Sequence, residues 1–211
     1  SFYVLPGCGP THYLRLRLID FLAGRQSLED IYLHPPEWYA KRGILVHLGT
    51  RVDRLDVPGR RLHLEDGTEA PYDRLLLALG SSPFVPPVEG MDKEGVFTLR
   101  SIEDALAIKS YAEECLAAGS REAVLVGGGL LGLESANALN SLGLRVTVLE
   151  HGPWLLPKQV DQEGSTVLQK QIELLGIRFL LDSELEAILG NDRVSGVLLK
   201  KGMKVPASLV L

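Results

Sequence analysis

The sequence predicts an α/β fold, and three stretches carry the prediction. Residues 122–150 read as strand, glycine turn, helix and second strand, in that order. Residues 161–181 repeat the passage from an amphipathic helix, through a glycine stop, to a short apolar run. Leu75–Leu79 is apolar at every position, as a strand covered on both faces of a parallel sheet would be.

The bulk numbers narrow the class. At 211 residues the chain can form one large domain or two small ones, and 45% apolar content supports a substantial core. The net charge is −5 with both signs mixed along the chain, so no basic tract points to a nucleic-acid partner. No apolar run is long enough to span a membrane and no basic leader opens the chain, so a cytoplasmic location without a membrane partner is expected. Cys8 and Cys115 are far apart and form no CxxC, which fits a reducing compartment and argues against a disulfide framework or zinc. His12, His34, His47, His63 and His151 show no ligand spacing, and no metal is expected.

Taken in order, residues 1–5 read as the end of a strand, and Gly7, Gly9 and Pro10 as a turn. Leu14, Leu18 and Leu22 recur at i+4, which predicts a helix over Tyr13–Ala23 stopped by Gly24. A short link, Leu28–Leu33, leads to Pro35-Pro36 and a short helix, Glu37–Lys41, ending near Gly43. Ile44–Leu48 is a strand. Val52–Val57, Arg61–Glu65 and Glu69–Tyr72 are short strands punctuated by Pro58-Gly59 and Asp66-Gly67, a meander. Leu75–Leu79 follows, then a proline-rich crossing segment over 81–90.

Ser101-Ile102-Glu103-Asp104 resembles a capping box and starts a helix whose buried face is Ala105, Ile108, Ala112, Cys115 and Leu116. That makes Cys115 a core residue rather than a reactive thiol. After Glu150 comes a loop, 152–160, then a helix capped by Asp161 with Leu168, Ile172 and Leu175 on its buried face. Ile177–Leu181 is a strand. Leu185–Leu189 and Val194–Leu199 pair around Gly190-Asn191-Asp192, and Val205–Leu211 reads as one final strand. Both ends are abrupt, as in a piece of a larger protein.

The chemistry concentrates in the first of these stretches. Gly127, Gly129 and Gly132 form G-x-G-x-x-G between an apolar run and an amphipathic helix, and Glu150 lies about 20 residues on, at the spacing of a dinucleotide fingerprint. Gly127 allows the tight turn, Gly129 a close backbone approach to a pyrophosphate, and Gly132 close helix packing. With Gly128, Leu130 and Leu131 they make a turn and helix start whose N–H groups can hold phosphate. The Glu150 carboxylate suits a ribose diol and repels a 2′-phosphate, which favours NADH over NADPH. His151, beside it, softens that preference. A βαβ unit whose glycines serve packing alone would carry the same turn.

These blocks together resemble the FAD-dependent pyridine nucleotide–disulfide oxidoreductase superfamily, in its ferredoxin, rubredoxin and nitrite reductase branch. The resemblance rests on Tyr13-Leu14-Arg15 with Leu18…Leu22-Ala23-Gly24, Pro36-Glu37-Trp38-Tyr39, Leu48-Gly49-Thr50-Arg51-Val52, Tyr72–Gly80, Arg100…Glu103-Asp104-Ala105, Gly127–Glu134 and Leu155-Leu156-Pro157. It implies two Rossmann-like, three-layer units: an incomplete FAD-binding domain over 1–101 and an NAD(H)-binding domain over 102–211. The first strand and glycine loop of the FAD unit are not within these residues. Leu79 replaces the threonine of that branch's ATG block, and Asp20 stands where a lysine is frequent.

By resemblance, Arg15, the backbone of Val52, and Ala78, Leu79 and Gly80 contact FAD, and Glu134 lies near the nicotinamide. Hydride would pass from NADH to the flavin. Electrons would then leave to an iron–sulfur or rubredoxin-type acceptor protein or a small oxidant; a homodimer of the full-length protein is compatible with this. Two other readings stay open. Some relatives (NADH oxidases, peroxidases, coenzyme A disulfide reductases) place a redox cysteine in a C-G pair, here Cys8-Gly9, and a flavin-free NADH-binding module needs only Gly127–Glu150.

Overall fold

The computed structural model describes residues 2–4 and 13–211, the former by backbone alone. The turn at Gly7, Gly9 and Pro10, together with Cys8, lies outside the described residues. By contacts the chain divides into two compact units, Ser1–Arg15 with Leu28–Ser82, and Leu16–Ser27 with Pro83–Leu211.

In the first unit, β1 (Phe2–Val4) pairs in parallel with β2 (Ile44–Val46), Tyr3 opposite Leu45. The link at 28–33 contains one helical turn, α2 (Leu28–Ile31), and α3 (Pro36–Ala40) opens with proline, whose fixed φ suits a first helical turn. The meander forms as expected: β3 (Val52–Asp56), β4 (Arg61–Leu64) and β5 (Glu69–Pro71) pair antiparallel, with Asp56 opposite Arg61 and Leu62 opposite Ala70. Its second turn is tied by Asp66, whose carboxylate accepts from Thr68 Oγ1 at 2.6 Å and Thr68 N at 2.9 Å. These bonds hold the Asp66 carboxyl below its ordinary range.

Two expectations fail in or beside this unit. Leu75–Leu79 is not a strand; Leu76 and Leu79 are each 87% exposed. An all-apolar run becomes a central strand only where neighbours pair with both its edges, and no described strand does so here. The helix expected from Tyr13 begins later, as a 3-10 turn (Arg15–Arg17) followed by α1 (Leu18–Leu22). Tyr13 instead bridges Tyr32, and Leu14 N donates to Ile31 O at 2.8 Å, which commits that backbone to a strand-like pairing.

The second unit is layered. Its central sheet is parallel, in the order β12-β6-β7-β8, from β6 (Glu122–Val126), β7 (Arg145–Leu149), β8 (Arg178–Leu180) and β12 (Leu209–Val210). Alternate residues face opposite layers, the period-2 consequence of the pleat. Ala123, Leu125, Val146 and Val148 pack with α4 (Ile102–Ala117), α5 (Leu130–Ser141) and α1. Val124, Leu149 and Val210 pack with an antiparallel sheet of β9 (Leu185–Leu189), β10 (Gly196–Leu199) and β11 (Lys204–Pro206). The layers therefore run helix, parallel sheet, antiparallel sheet. Among the described residues no helix is long and apolar enough to cross a membrane.

Val205–Leu211 is two strands rather than one. Pro206 cannot donate to a ladder, and the chain turns there from β11, paired with β10, to β12, paired with β6. α6 (Gln162–Glu173) is capped by the Asp161 carboxylate, which accepts from Gly164 N at 2.8 Å. Leu168 and Ile172 pack against the core as expected, but Leu175 lies past the helix end and is 54% exposed.

α4 carries both arms of its capping box: Ser101 Oγ accepts from Asp104 N at 3.2 Å, and the Asp104 carboxylate accepts from Ser101 N at 2.9 Å. Replacing Ser101 by alanine is expected to lower stability by about 1 kcal/mol. The check is a reduced urea midpoint with unchanged slope; an unmoved midpoint would show the cap contributes nothing. Cys115 lies on the buried face of α4 with Ile108 and Ala112, and burial pushes its thiol up, so it stays protonated near neutrality.

Candidate nucleotide-binding turn

β6 ends at Val126, and the chain then reverses over three glycines. Gly127 has φ +113°, which glycine alone adopts without strain, and its N–H donates to Leu149 O at 2.8 Å. Gly129 is the N-cap of α5, in extended conformation with no side chain to cap the helix, so the first-turn N–H groups stay directed outward over the turn. A Cβ on Gly129 would meet nothing within 4 Å, whereas one on Gly132 would stand 2.0 Å from Gly127 O. The open side at Gly129 is a surface that an anion can approach to backbone distance, and it coincides with the positive end of the α5 dipole. The turn thus fits a pyrophosphate.

Gly128, an unspecified position in the fingerprint, proves as constrained as its neighbours. A Cβ there would lie 2.6 Å from Leu155 Cδ2 and 3.0 Å from Glu150 Oε2. Its N–H donates to Glu150 Oε2 at 2.7 Å, and its carbonyl accepts from Leu156 N at 3.2 Å. Glu150 Oε1 accepts from Gly152 N at 2.6 Å. The carboxylate therefore ties the glycine turn to the loop after β7, and its remaining lone pairs stay available to a diol. No spacing rule signalled this second job of Glu150.

The other expected residues fall in three places. Leu130, Leu131 and Glu134 share an exposed face of α5 beginning at the turn. His151 is 81% exposed, with Nδ1 4.0 Å from Glu184 Oε2. Arg15 lies exposed in the 3-10 turn, Val52 opens β3, and Ala78, Leu79 and Gly80 lie in the exposed segment after the meander. Among the described residues no hydrogen bond or ion pair joins Arg15, Val52, Ala78, Leu79 and Gly80 to one another. Beside the glycine turn, an apolar cleft of about 100 Å³ opens at the carboxyl ends of β6 and β12, lined by Phe84, Val85, Met91, Phe97, Val126 and Leu211 among others. That is where ligands sit in open α/β sheets.

The layering and the turn define a Rossmann-like unit of the dinucleotide-binding class. Comparison with known proteins carries this further. Residues 14–211 match the family described as pyridine nucleotide-disulphide oxidoreductase, and the chain belongs to that family. It is an enzyme family of NAD(P)H-dependent, FAD-containing oxidoreductases. Among curated relatives, the assimilatory nitrate reductase electron transfer subunit of Bacillus subtilis is 35% identical over 200 residues, 95% of this chain and 25% of that protein. A rubredoxin-NAD(+) reductase of Pseudomonas putida is 33% identical over 192 residues, 90% of this chain and 49% of that protein. A crystal structure of a ferredoxin reductase from Rhodopseudomonas palustris superposes with a TM-score of 0.90 at 25% identity, over 99% of this chain and 51% of that one. The chain thus spans between a quarter and about half of these relatives.

Proposed function

We propose that this chain carries the NADH-binding part, and some of the FAD-binding part, of an NADH-dependent flavoprotein reductase. The observation that supports this most directly is the glycine turn: an open backbone surface at Gly129, the N-terminus of α5, and Glu150 fixed beside them. In this reading residues 1–101 belong to the FAD-binding domain and 102–211 to the NAD(H)-binding domain. The backbone from Gly127 to Gly132 holds the pyrophosphate, Glu150 accepts from the ribose hydroxyls, and the exposed Glu134 faces the nicotinamide. Arg15, the Val52 backbone and Ala78–Gly80 lie on the flavin side. FAD, when bound, supplies the acceptor for the hydride. An iron–sulfur or rubredoxin-type protein is the favoured electron acceptor, because relatives named for rubredoxin and ferredoxin match this chain over nine-tenths of its length.

The test is the visible spectrum of the purified protein, before and after NADH without oxygen. A flavin band that NADH bleaches is the expected result. NADH binding with no flavin band, even after FAD is added, would overturn the reductase reading and leave a nucleotide-binding module.

A further inference from the structure

The carboxylate that reads the ribose has charged neighbours from a distant part of the chain. Ser183 N donates to Glu150 O at 2.9 Å, and Asp182 N donates to Gly152 O at 3.0 Å. Together these bonds lay the turn after β8 alongside the end of β7. The next residue, Glu184, sets its carboxylate between a lysine ammonium and an imidazole. Oε1 is ion-paired with Lys200 Nζ, and Oε2 lies 4.0 Å from His151 Nδ1. The arrangement is anchored by backbone, since Lys200 N donates to Glu184 O at 3.0 Å. The hydrogen bond from Lys200 is the main cause holding the Glu184 carboxyl below its ordinary range, so it is ionised at neutral pH.

We propose that Glu184 is a specificity-determining residue, which holds Lys200 and faces His151 so that neither engages a nucleotide 2′-phosphate beside Glu150. The proposal rests on the reading that the ribose meets Glu150. A phosphomonoester carries about −1.5 to −2 charges at pH 7 and gains from any free ammonium or imidazolium in reach. Lys200 and His151 are the basic side chains that Glu184 meets on this face, at 57% and 81% side-chain exposure, and a third, Lys201, donates from Nζ to Asp182 O at 3.1 Å. With Glu184 present, Lys200 is paired and His151 faces a second carboxylate. NADPH then meets two carboxylates, with the Lys200 ammonium already engaged by one of them. NADH, which lacks the phosphate, is indifferent to the pair. The whole cluster is solvent-exposed, so the effect is modest and screened by salt.

The experiment measures Kd for NADH and NADPH at low and high salt, on the protein that carries this chain. It compares wild type, E184Q, K200Q and E184Q/K200Q. For E184Q, NADPH is expected to bind about three- to fivefold tighter at low salt, the size an exposed ion pair can supply, with NADH unchanged. K200Q alone should weaken NADPH further, and the double variant should return the ratio towards wild type. An NADH-to-NADPH ratio in E184Q equal to wild type would overturn the proposal. If wild type binds neither nucleotide, the site reading itself fails, a result distinct from a normal NADH affinity with an unmoved ratio.

Discussion

Replacing Gly132 by alanine is expected to loosen the fold and abolish most nucleotide binding together. The new Cβ would stand 2.0 Å from Gly127 O and 3.0 Å from Leu125 Cδ2. The nearest obstacle is a backbone carbonyl inside a tight turn, which cannot rotate aside as a flexible side chain would. The first turn of α5 must therefore lift away from the end of β6. Overpacking of this kind costs about 2–3 kcal/mol, which lowers the melting temperature by about 4–10 °C for a unit of this size. Displaced N–H groups no longer converge on the phosphates, and NADH affinity should fall at least about tenfold, since positioning errors near 1 Å are costly. Gly129→Ala is the control. Its backbone, φ −77° and ψ 174°, suits any residue, and its Cβ would meet nothing within 4 Å. That variant should lose at most about 1 kcal/mol, since alanine is a poorer N-cap than glycine, yet bind NADH poorly, because the methyl occupies the approach. Tight NADH binding by Gly129→Ala, measured by calorimetry, would refute the path assigned to the pyrophosphate.

Replacing Glu150 by glutamine should also reduce stability and affinity, by a different route. The carboxylate accepts from Gly128 N at 2.7 Å and from Gly152 N at 2.6 Å, one bond on each oxygen. An amide can satisfy only one of these donors and turns its own NH₂ towards the other. Losing a charge-assisted hydrogen bond here costs about 1–3 kcal/mol. The turn and the loop after β7 then separate, and NADH affinity is expected to drop about tenfold. NADPH should lose less, because a neutral amide no longer repels its phosphate, so discrimination between the two narrows. A Glu150→Gln protein with unchanged melting temperature and unchanged NADH affinity would show that the tie has no energetic role.

The central βαβ unit was legible because every level of the sequence agreed on it. β-branched runs, a glycine turn, a helical period and a terminal acid all specified one geometry, and β6, α5 and β7 formed within a residue or two of their expected limits. The Ser101 and Asp161 caps were legible for the same local reason. Leu75–Leu79 reads as a buried strand yet is largely exposed, because apolarity marks a segment that can be buried, while burial itself depends on strands elsewhere. Val205–Leu211 reads as one strand by its apolar residues, whereas the missing N–H of Pro206 is the local signal for the break between β11 and β12. In the candidate site, the glycine spacing pointed to Gly127, Gly129 and Gly132. The steric demand at Gly128 comes from Leu155 and Glu150, more than twenty positions away in sequence, and no motif encodes such a contact. The pairing of Glu184 with Lys200 and His151 is long-range in the same way.

The passage of the chain from β11 to β12 has a consequence for how the second unit opens. Within a few residues of Pro206 the backbone leaves the antiparallel layer and enters the parallel one, and Ser208 N donates to Glu122 O at 2.8 Å at the crossing. A second thread runs beside it, since Glu89 bridges Ala187 in one layer and Val96 bridges Val210 in the other. Two strands of chain thus stitch the layers at separate points. Neither sheet can detach while the other stays whole, so the deepest amides of both should exchange with solvent through one shared event, with one common opening free energy.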